Sequence, residues 1–282
     1  MSNDRPARRG RRVTRGRVER VERLTPHLIR VVIGGDGLAG FAAGEYTDHY
    51  VKILFPVPGV EYPEPFDMEA VRRDLPRDQW PRQRSYTVRS WDAEARELAI
   101  DFVYHGDYGL AGPWAARVRP GEEVLFLGPG GAYAPNEKAD WHLLVGDESA
   151  LPAIAASLER LSEDATARVF VEVAGAEDEV PLAAPGDTRI TWLHRGAAEV
   201  GDALVEAVRD LEFPPGEVHA FVHGEAGFVK RLRRHLRLER GLSMDQLSIS
   251  GYWRLGADDE GWRASKADWN RRIEEEEAAT TV

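Results

Sequence analysis

The chain has 282 residues, 43% of them apolar and 30% charged, with a net charge of −11; this is the composition of a folded protein and, at about 150 residues per domain, the length of two domains. No stretch approaches the roughly 18 apolar residues of a membrane helix, so no membrane partner is expected. The absence of cysteine excludes a cysteine-ligated iron–sulfur cluster or a thiolate zinc site and fits a reducing cytoplasm, so redox chemistry here would need a dissociable organic cofactor or a metal carried in by the substrate.

The charge is uneven. Residues 1–30 hold ten Arg against Asp4, Glu19 and Glu22, a local +7, and the remainder carries −18. A basic arm can bind nucleic acid, but Arg15, Arg17, Arg20 and Arg23 interleave with Val13, Val18, Val21 and Leu24 as on the outer face of a first strand. A body at −18 would also repel phosphate, so no nucleic-acid partner is expected. Arg8-Arg9 and Arg11-Arg12 look like the start of an export signal, yet no apolar segment follows them; a cytoplasmic location is the expectation.

From residue 13 to about 139 the pattern is short strands with turn punctuation. "VERLTPHLIRVVIGG", "DHYVKILFP", "RSYTVRSWD", "ELAIDFVYHG" and "EEVLFLGPGG" each read as strands bounded by Gly, Pro or Asp. Five or six strands with one short helix near "GPWAARV" suggest an antiparallel β-barrel. Between two of them, "EYPEPFDMEAVRRDLPRDQWPRQ" is a long excursion rich in Pro and charge, either a functional loop or a disordered insertion. The segment "GDGLAG", Gly35–Gly40, matches G-x-G-x-x-G, but no amphipathic helix follows, so it reads as a barrel turn.

After residue 140 strands alternate with helical patterns: "WHLLVGD", "SALPAIAASLERL", "ARVFVEVAG", "TRITWLH", "GDALVEAVRDL", "VHAFVHG", "EAGFVKRLRRHLRLERG" and "LSISGYWR". This is the signature of a doubly wound parallel sheet. Residues 257–282 turn acidic and read as a C-terminal extension, partly helical, with Glu274–Glu277 as a solvated tail. The expected organisation is a barrel over 13–139, an α/β domain over 140–256 and the extension over 257–282.

Three stretches carry chemistry. In "RQRSYTVRS", residues 82–90, strand alternation places Arg84 and Tyr86 on one face and Ser85, Thr87 and Arg89 on the other. An aromatic plate, a forked guanidinium for phosphate and a hydroxyl donor are what a flavin lying along a strand needs; an exposed strand with surface Arg is the plain alternative. "DFVYHGDYGLAGPWAARV", residues 101–118, is a strand, a glycine-rich loop and a helix start, a combination that lets backbone N–H groups approach a diphosphate. A simple glycine turn would look the same when taken alone. "LLVGDESALPAI", residues 143–154, ends the first strand of the second half and opens a helix, the place where α/β sheets bind ligands. His219 and His223 would lie about 13 Å apart on one strand face, too far apart to share a metal ion, so no metal site is expected.

These stretches, with "FVHGEAGFVKRLRRHLRLERG" (221–241) and "SISGYWRLG" (248–256), resemble the siderophore-interacting branch of the ferredoxin-reductase-like superfamily, the FAD-containing ferric-siderophore reductases. The resemblance implies an FAD-binding barrel followed by an NADPH- or NADH-binding α/β domain. By that resemblance Arg84 would contact FAD phosphate or ribityl oxygens, Tyr86 would pack on the flavin and Thr87 would donate near its reducible nitrogen, Tyr86 and Thr87 being the catalytic pair. Asp101 and His105 would edge the flavin, and Gly109, Ala111 and Trp114 would frame the diphosphate loop. Gly146, Asp147, Glu148 and Ser149 would border the nicotinamide cofactor, Tyr252 and Trp253 would approach the flavin, and Lys52 and Arg254 would meet an anionic ferric siderophore. The implied protein is a monomeric reductase, with an external ferredoxin open as a partner. A general flavin or ferredoxin-type reductase and a non-catalytic flavin or siderophore carrier are the alternatives. Gly112-Pro113 stands where a hydroxyl donor pair is expected, and Ser149 stands in place of the commoner Thr.

Overall fold

A computed structural model describes residues 13–280. The twin-arginine segment and the outer part of the basic arm lie outside the described residues. Six strands form a closed antiparallel barrel: β1 (Val13–Thr25), β2 (Leu28–Gly34), β3 (Tyr50–Phe55), β4 (Arg82–Asp92), β5 (Glu97–Val103) and β6 (Glu123–Gly130), in the order β1-β2-β5-β4-β3-β6. The barrel closes where β1 pairs with β6. Alternate residues face inward, among them Ile29, Val31 and Ile33 of β2, Val51 and Ile53 of β3, and Leu98, Ile100 and Phe102 of β5, as strand period 2 requires.

The stretch read as one strand, "VERLTPHLIRVVIGG", is two. Pro26 has no N–H for a ladder and its ring sets φ for a turn, and Thr25 pairs with Leu28 across it. "GDGLAG" is indeed a turn on the barrel: a 3₁₀ turn spans Asp36–Leu38 and buries Leu38. Its central glycine serves a chain crossing, since a Cβ on Gly37 would lie 1.7 Å from the carbonyl oxygen of Arg15. The long excursion is ordered. It carries α1 (Met68–Asp74), capped by the Asp67 side chain, which accepts from Glu69 N at 2.8 Å, and it buries Met68 and Val71 against Leu54 and Leu127. A short helix α2 (Ala111–Ala115) plugs the barrel, with Ala111 and Ala115 in its core.

The second half is a parallel sheet of β7 (Trp141–Asp147), β8 (Thr166–Val173), β9 (Asp187–His194), β10 (Val218–Glu225) and β11 (Leu247–Trp253), in the order β11-β10-β7-β8-β9. α3 (Leu151–Leu158) covers one face, while α4 (Asp202–Asp210) and α5 (Ala226–Arg234) cover the other. This is a doubly wound arrangement, and its strand order reverses between β7 and β10, where such sheets open a ligand crevice.

The acidic extension is not a loose tail. It forms α6 (Asp259–Thr280), a 22-residue helix. Trp262 and Ile273 are 2% and 3% exposed, and the Trp262 ring sits over Gly251, where a Cβ would stand 3.0 Å from it. Glu276 pairs with Lys230 at 2.8 Å and Glu277 with Arg233 at 2.6 Å. Glu274–Glu277 is therefore partly fastened to α5 rather than freely solvated. Among the described residues no helix is long and apolar enough to cross a membrane.

Candidate functional site

β4 is the seam of the molecule. Its inward side chains are barrel core: the Tyr86 ring lies 4.3 Å from that of Phe102, which in turn lies 5.4 Å from Trp114. Burial pushes the Tyr86 phenol well above its ordinary value, so the ring is a neutral aromatic surface at any working pH. Its other face turns to the α/β domain. Thr87 is buried there, and Arg89 binds Glu159, just past α3, with contacts of 2.5 and 3.0 Å. Arg84 is placed differently from a bare phosphate ligand. Its Nη1 donates to Glu260 Oε1 at 2.6 Å and to Asp259 Oδ2 at 3.3 Å, and its Nη2 donates to Glu260 Oε2 at 3.0 Å.

After β5 the chain enters the glycine loop. Gly106 and Gly109 have φ of +74° and +86°, conformations that favour glycine, and nothing lies within 4 Å of where their side chains would be. Gly112 lets the start of α2 close on β5, because a Cβ there would stand 2.8 Å from the Val103 carbonyl oxygen. Trp114 packs between Phe55 and Phe102. Asp101 faces out of the barrel, bound by Arg30 Nε at 2.7 Å and Nη2 at 2.8 Å. The pair lines a cavity of about 190 Å³ with Arg89, Leu151 and Ala155. His105 is exposed, its ring 6.2 Å from that of His27, whose Nδ1 is 2.8 Å from Asp178 Oδ2.

The carboxyl edge of the sheet supplies the other half. Gly146 permits a close crossing, since a Cβ would lie 2.5 Å from Ala150 Cβ. Asp147, with no exposed surface, is a hub: Oδ1 accepts from Ser149 N at 2.9 Å and Oγ at 2.5 Å, and Oδ2 accepts from Glu225 N and from the Trp253 indole, both at 2.8 Å. Burial, and next the neighbouring Glu148, raise its carboxyl to about 6 against the pull of these donors. Glu225 caps α5 and accepts from Leu255 N at 3.2 Å, so two carboxylates hold the exit of β11. Tyr252 packs edge-on to His223 at 4.8 Å. Glu148 binds Arg195 at 2.9 Å, and Arg195 also reaches Glu172 at 3.3 Å; Glu172 in turn accepts from Gly201 N. Lys52 stands on β3 opposite Ser85, and Arg254 is exposed where the chain leaves β11.

Thr87 and Arg89 thus lie on the β4 face that meets Tyr252 and the end of α3, Tyr86 lies on the opposite, core-facing side, and Asp101 faces α3 with its own arginine. Reading the motifs missed Arg195, Glu172, Glu225, Asp259 and Glu260. Only Arg195 had a usable signal, as a cation directly after a strand of the parallel sheet. The residues suit a flavin nucleotide: an aromatic plate backed by core, a hydroxyl on the next residue of the same strand, a glycine cradle open above its backbone, and a guanidinium whose present partners are carboxylates, groups of phosphate-like charge.

Residues 17–133 match the family described as siderophore-interacting FAD-binding domain, and residues 139–256 match siderophore-interacting protein. An uncharacterized protein of Mycobacterium tuberculosis is 46% identical over 271 residues, covering 91% of this chain and 94% of that one. Ferric vibriobactin reductase ViuB of Vibrio cholerae is 34% identical over 251 residues, covering 86% and 90%. The crystal structure of a siderophore utilization protein from T. fusca superposes with a TM-score of 0.76 at 39% identity, over 88% of this chain and 95% of that one. With both halves matched in order, and with the barrel and switch-point sheet in place, the chain is an FAD-dependent oxidoreductase of the siderophore-interacting protein family.

Proposed function

We propose that the protein is a ferric-siderophore reductase that draws electrons from NADH or NADPH and delivers them to Fe(III) held by a siderophore. The observation that carries this reading is the seam itself: the Arg-x-Tyr-Thr strand turns its Thr87 and Arg89 face onto the domain whose switch point holds Asp147 and Trp253. A ring seated on β4 would therefore lie at the mouth where an α/β sheet takes its nucleotide.

Bound FAD would supply the conversion of a two-electron hydride donor into the one-electron steps that Fe(III) accepts. Tyr86, braced by Phe102, would hold the ring plane; Thr87 would offer its hydroxyl at the ring edge; Arg84 and the Gly106–Gly109 loop would hold the phosphates. Asp147 fixes the Trp253 indole, and Glu225 fixes the backbone that follows, so the β11 exit presents a set surface to the incoming nicotinamide. Gly146 and Ser149 border that crevice. Siderophores bind iron through hard oxygen donors, which favour Fe(III) over Fe(II), so reduction loosens the complex. Electrons can pass across a contact edge, and Lys52 and Arg254 would attract the anionic complex to it. The proposed setting is the cytoplasm, which a chain without cysteine suits.

The test is a visible spectrum of the purified protein, followed by anaerobic NADH or NADPH and then a ferric siderophore with a ferrous-specific chelator. The proposal expects a flavin band that bleaches with nicotinamide and returns as ferrous chelate appears. Bleaching with no response to the siderophore would point to a general flavin or ferredoxin-type reductase. Siderophore binding without bleaching would point to a carrier.

A further inference from the structure

Arg84 is the guanidinium assigned above to the flavin phosphates, yet its donors are already engaged. Besides Glu260 and Asp259, Nη1 also donates to the Gln83 carbonyl at 3.0 Å. The Arg84 side chain is only 15% exposed, against 43% for Glu260 and 30% for Asp259. Both carboxylates sit in the first turn of α6, where a helix favours negative charge, and Arg263, one turn on, donates to the Gln83 carbonyl at 3.3 Å. The rest of α6 is fastened independently: Trp262 is buried, Lys266 bonds Ser250 at 2.9 Å, and Glu276 and Glu277 bind α5. The family-matched segments end at residue 256, so α6 lies beyond both.

A diphosphate approaching Arg84 would meet two carboxylates on the same guanidinium, and like charges at that distance repel. Arg84 cannot give its bidentate edge to both. We propose that the first turn of α6 is an internal competitor for the flavin-phosphate arginine: Asp259 and Glu260 contend with the phosphates of FAD for Arg84, so that this helix sets how tightly the barrel keeps its cofactor. The proposal rests on the reading of Arg84 as a phosphate ligand. The body of the helix stays docked through Trp262 and the α5 pairs while its first turn yields.

The experiment measures FAD affinity of the full-length protein by flavin fluorescence, after removal of the cofactor, for the wild type, Asp259→Asn/Glu260→Gln, Arg84→Ala and the triple combination. Lumiflavin, which has no phosphate, is titrated in parallel. The expected result is FAD binding about five- to tenfold tighter in the double variant, a gain of the size of one or two partly exposed charge-assisted contacts. The gain should shrink at high salt, be absent for lumiflavin, and vanish in the Arg84→Ala background. Near-ultraviolet circular dichroism of Trp262 and Trp269, whose rings lie 5.3 Å apart, reports whether α6 stays docked. If Arg84→Ala leaves FAD affinity unchanged, the phosphate role of Arg84 is wrong. If Arg84→Ala weakens FAD but the double variant, with α6 docked, binds no tighter than wild type, the competitor proposal alone is overturned.

Discussion

Asp147 offers a sharp test of how the strand ends of the parallel sheet are held together. Replacing it by Asn keeps the shape but leaves one acceptor oxygen where two served four donors, so an NH₂ group must face either the Ser149 pair or the pair from Glu225 and Trp253. Two buried donors lose their acceptor, at about 1–3 kcal/mol each. Against this, the native carboxylate is itself strained by burial: moving a carboxyl from 3.8 to about 6 corresponds to about 3 kcal/mol. Because the folded pKa is raised, the folded state holds the proton more tightly than the unfolded chain. This site's contribution to stability is full below about pH 4 and falls as pH rises through about 6. The Asn variant has no such slope. Asp147→Asn should therefore cost up to about 3 kcal/mol less at pH 7.5 than at pH 4.5. Urea denaturation of both proteins at several pH values, taken as a difference so that other titrating groups cancel, measures this directly. A cost that does not change with pH would show that Asp147 titrates as an ordinary carboxylate, and the burial argument would be wrong.

Other consequences are simpler. Trp262→Ala should destabilise the protein by about 3–5 kcal/mol, as for a large buried aromatic, seen as a lower urea midpoint. A loss below 1 kcal/mol would mean α6 is not packed as described. Gly37→Ala should lower the thermal midpoint clearly, because its Cβ has no room beside the Arg15 carbonyl; an unchanged midpoint would contradict the chain crossing. Glu148→Gln should loosen Arg195 from its carboxylate cage and raise the NADPH-to-NADH ratio of kcat/KM several-fold, since an arginine at a strand end suits a 2′-phosphate. No change in that ratio would place Arg195 outside nucleotide contact. Tyr86→Ala should weaken flavin binding by about tenfold or more through loss of its aromatic surface, measured by fluorescence titration.

Local rules carried much of the architecture. The switch from period-2 strands to alternating strands and helices near residue 140 marks the change from barrel to parallel sheet, because each pattern reflects which side of one element is buried. Turn chemistry was less legible. Pro26 cut one apparent strand into two, and the charged excursion after β3 proved to hold a capped helix with its own small core. Of the candidate site, the β4 alternation and the glycine loop could be read, since a strand or a turn places neighbouring residues in a known relation.

Partners brought together by the fold could not be read in this way. Arg84 meets Glu260 across 176 positions, and the Trp253 indole meets Asp147 across 106; no spacing rule links residues so distant. The order of residues by itself determined that this is a barrel followed by a nucleotide-type sheet, with an aromatic and cationic strand in the first half. Only the tertiary structure decided that Arg84 is shared with the C-terminal helix, that Asp101 keeps its own arginine, and that one buried carboxylate ties three strand ends together. The reason is that ion pairing and burial depend on distance in space, which the chain acquires only when each half folds and the C-terminal helix docks.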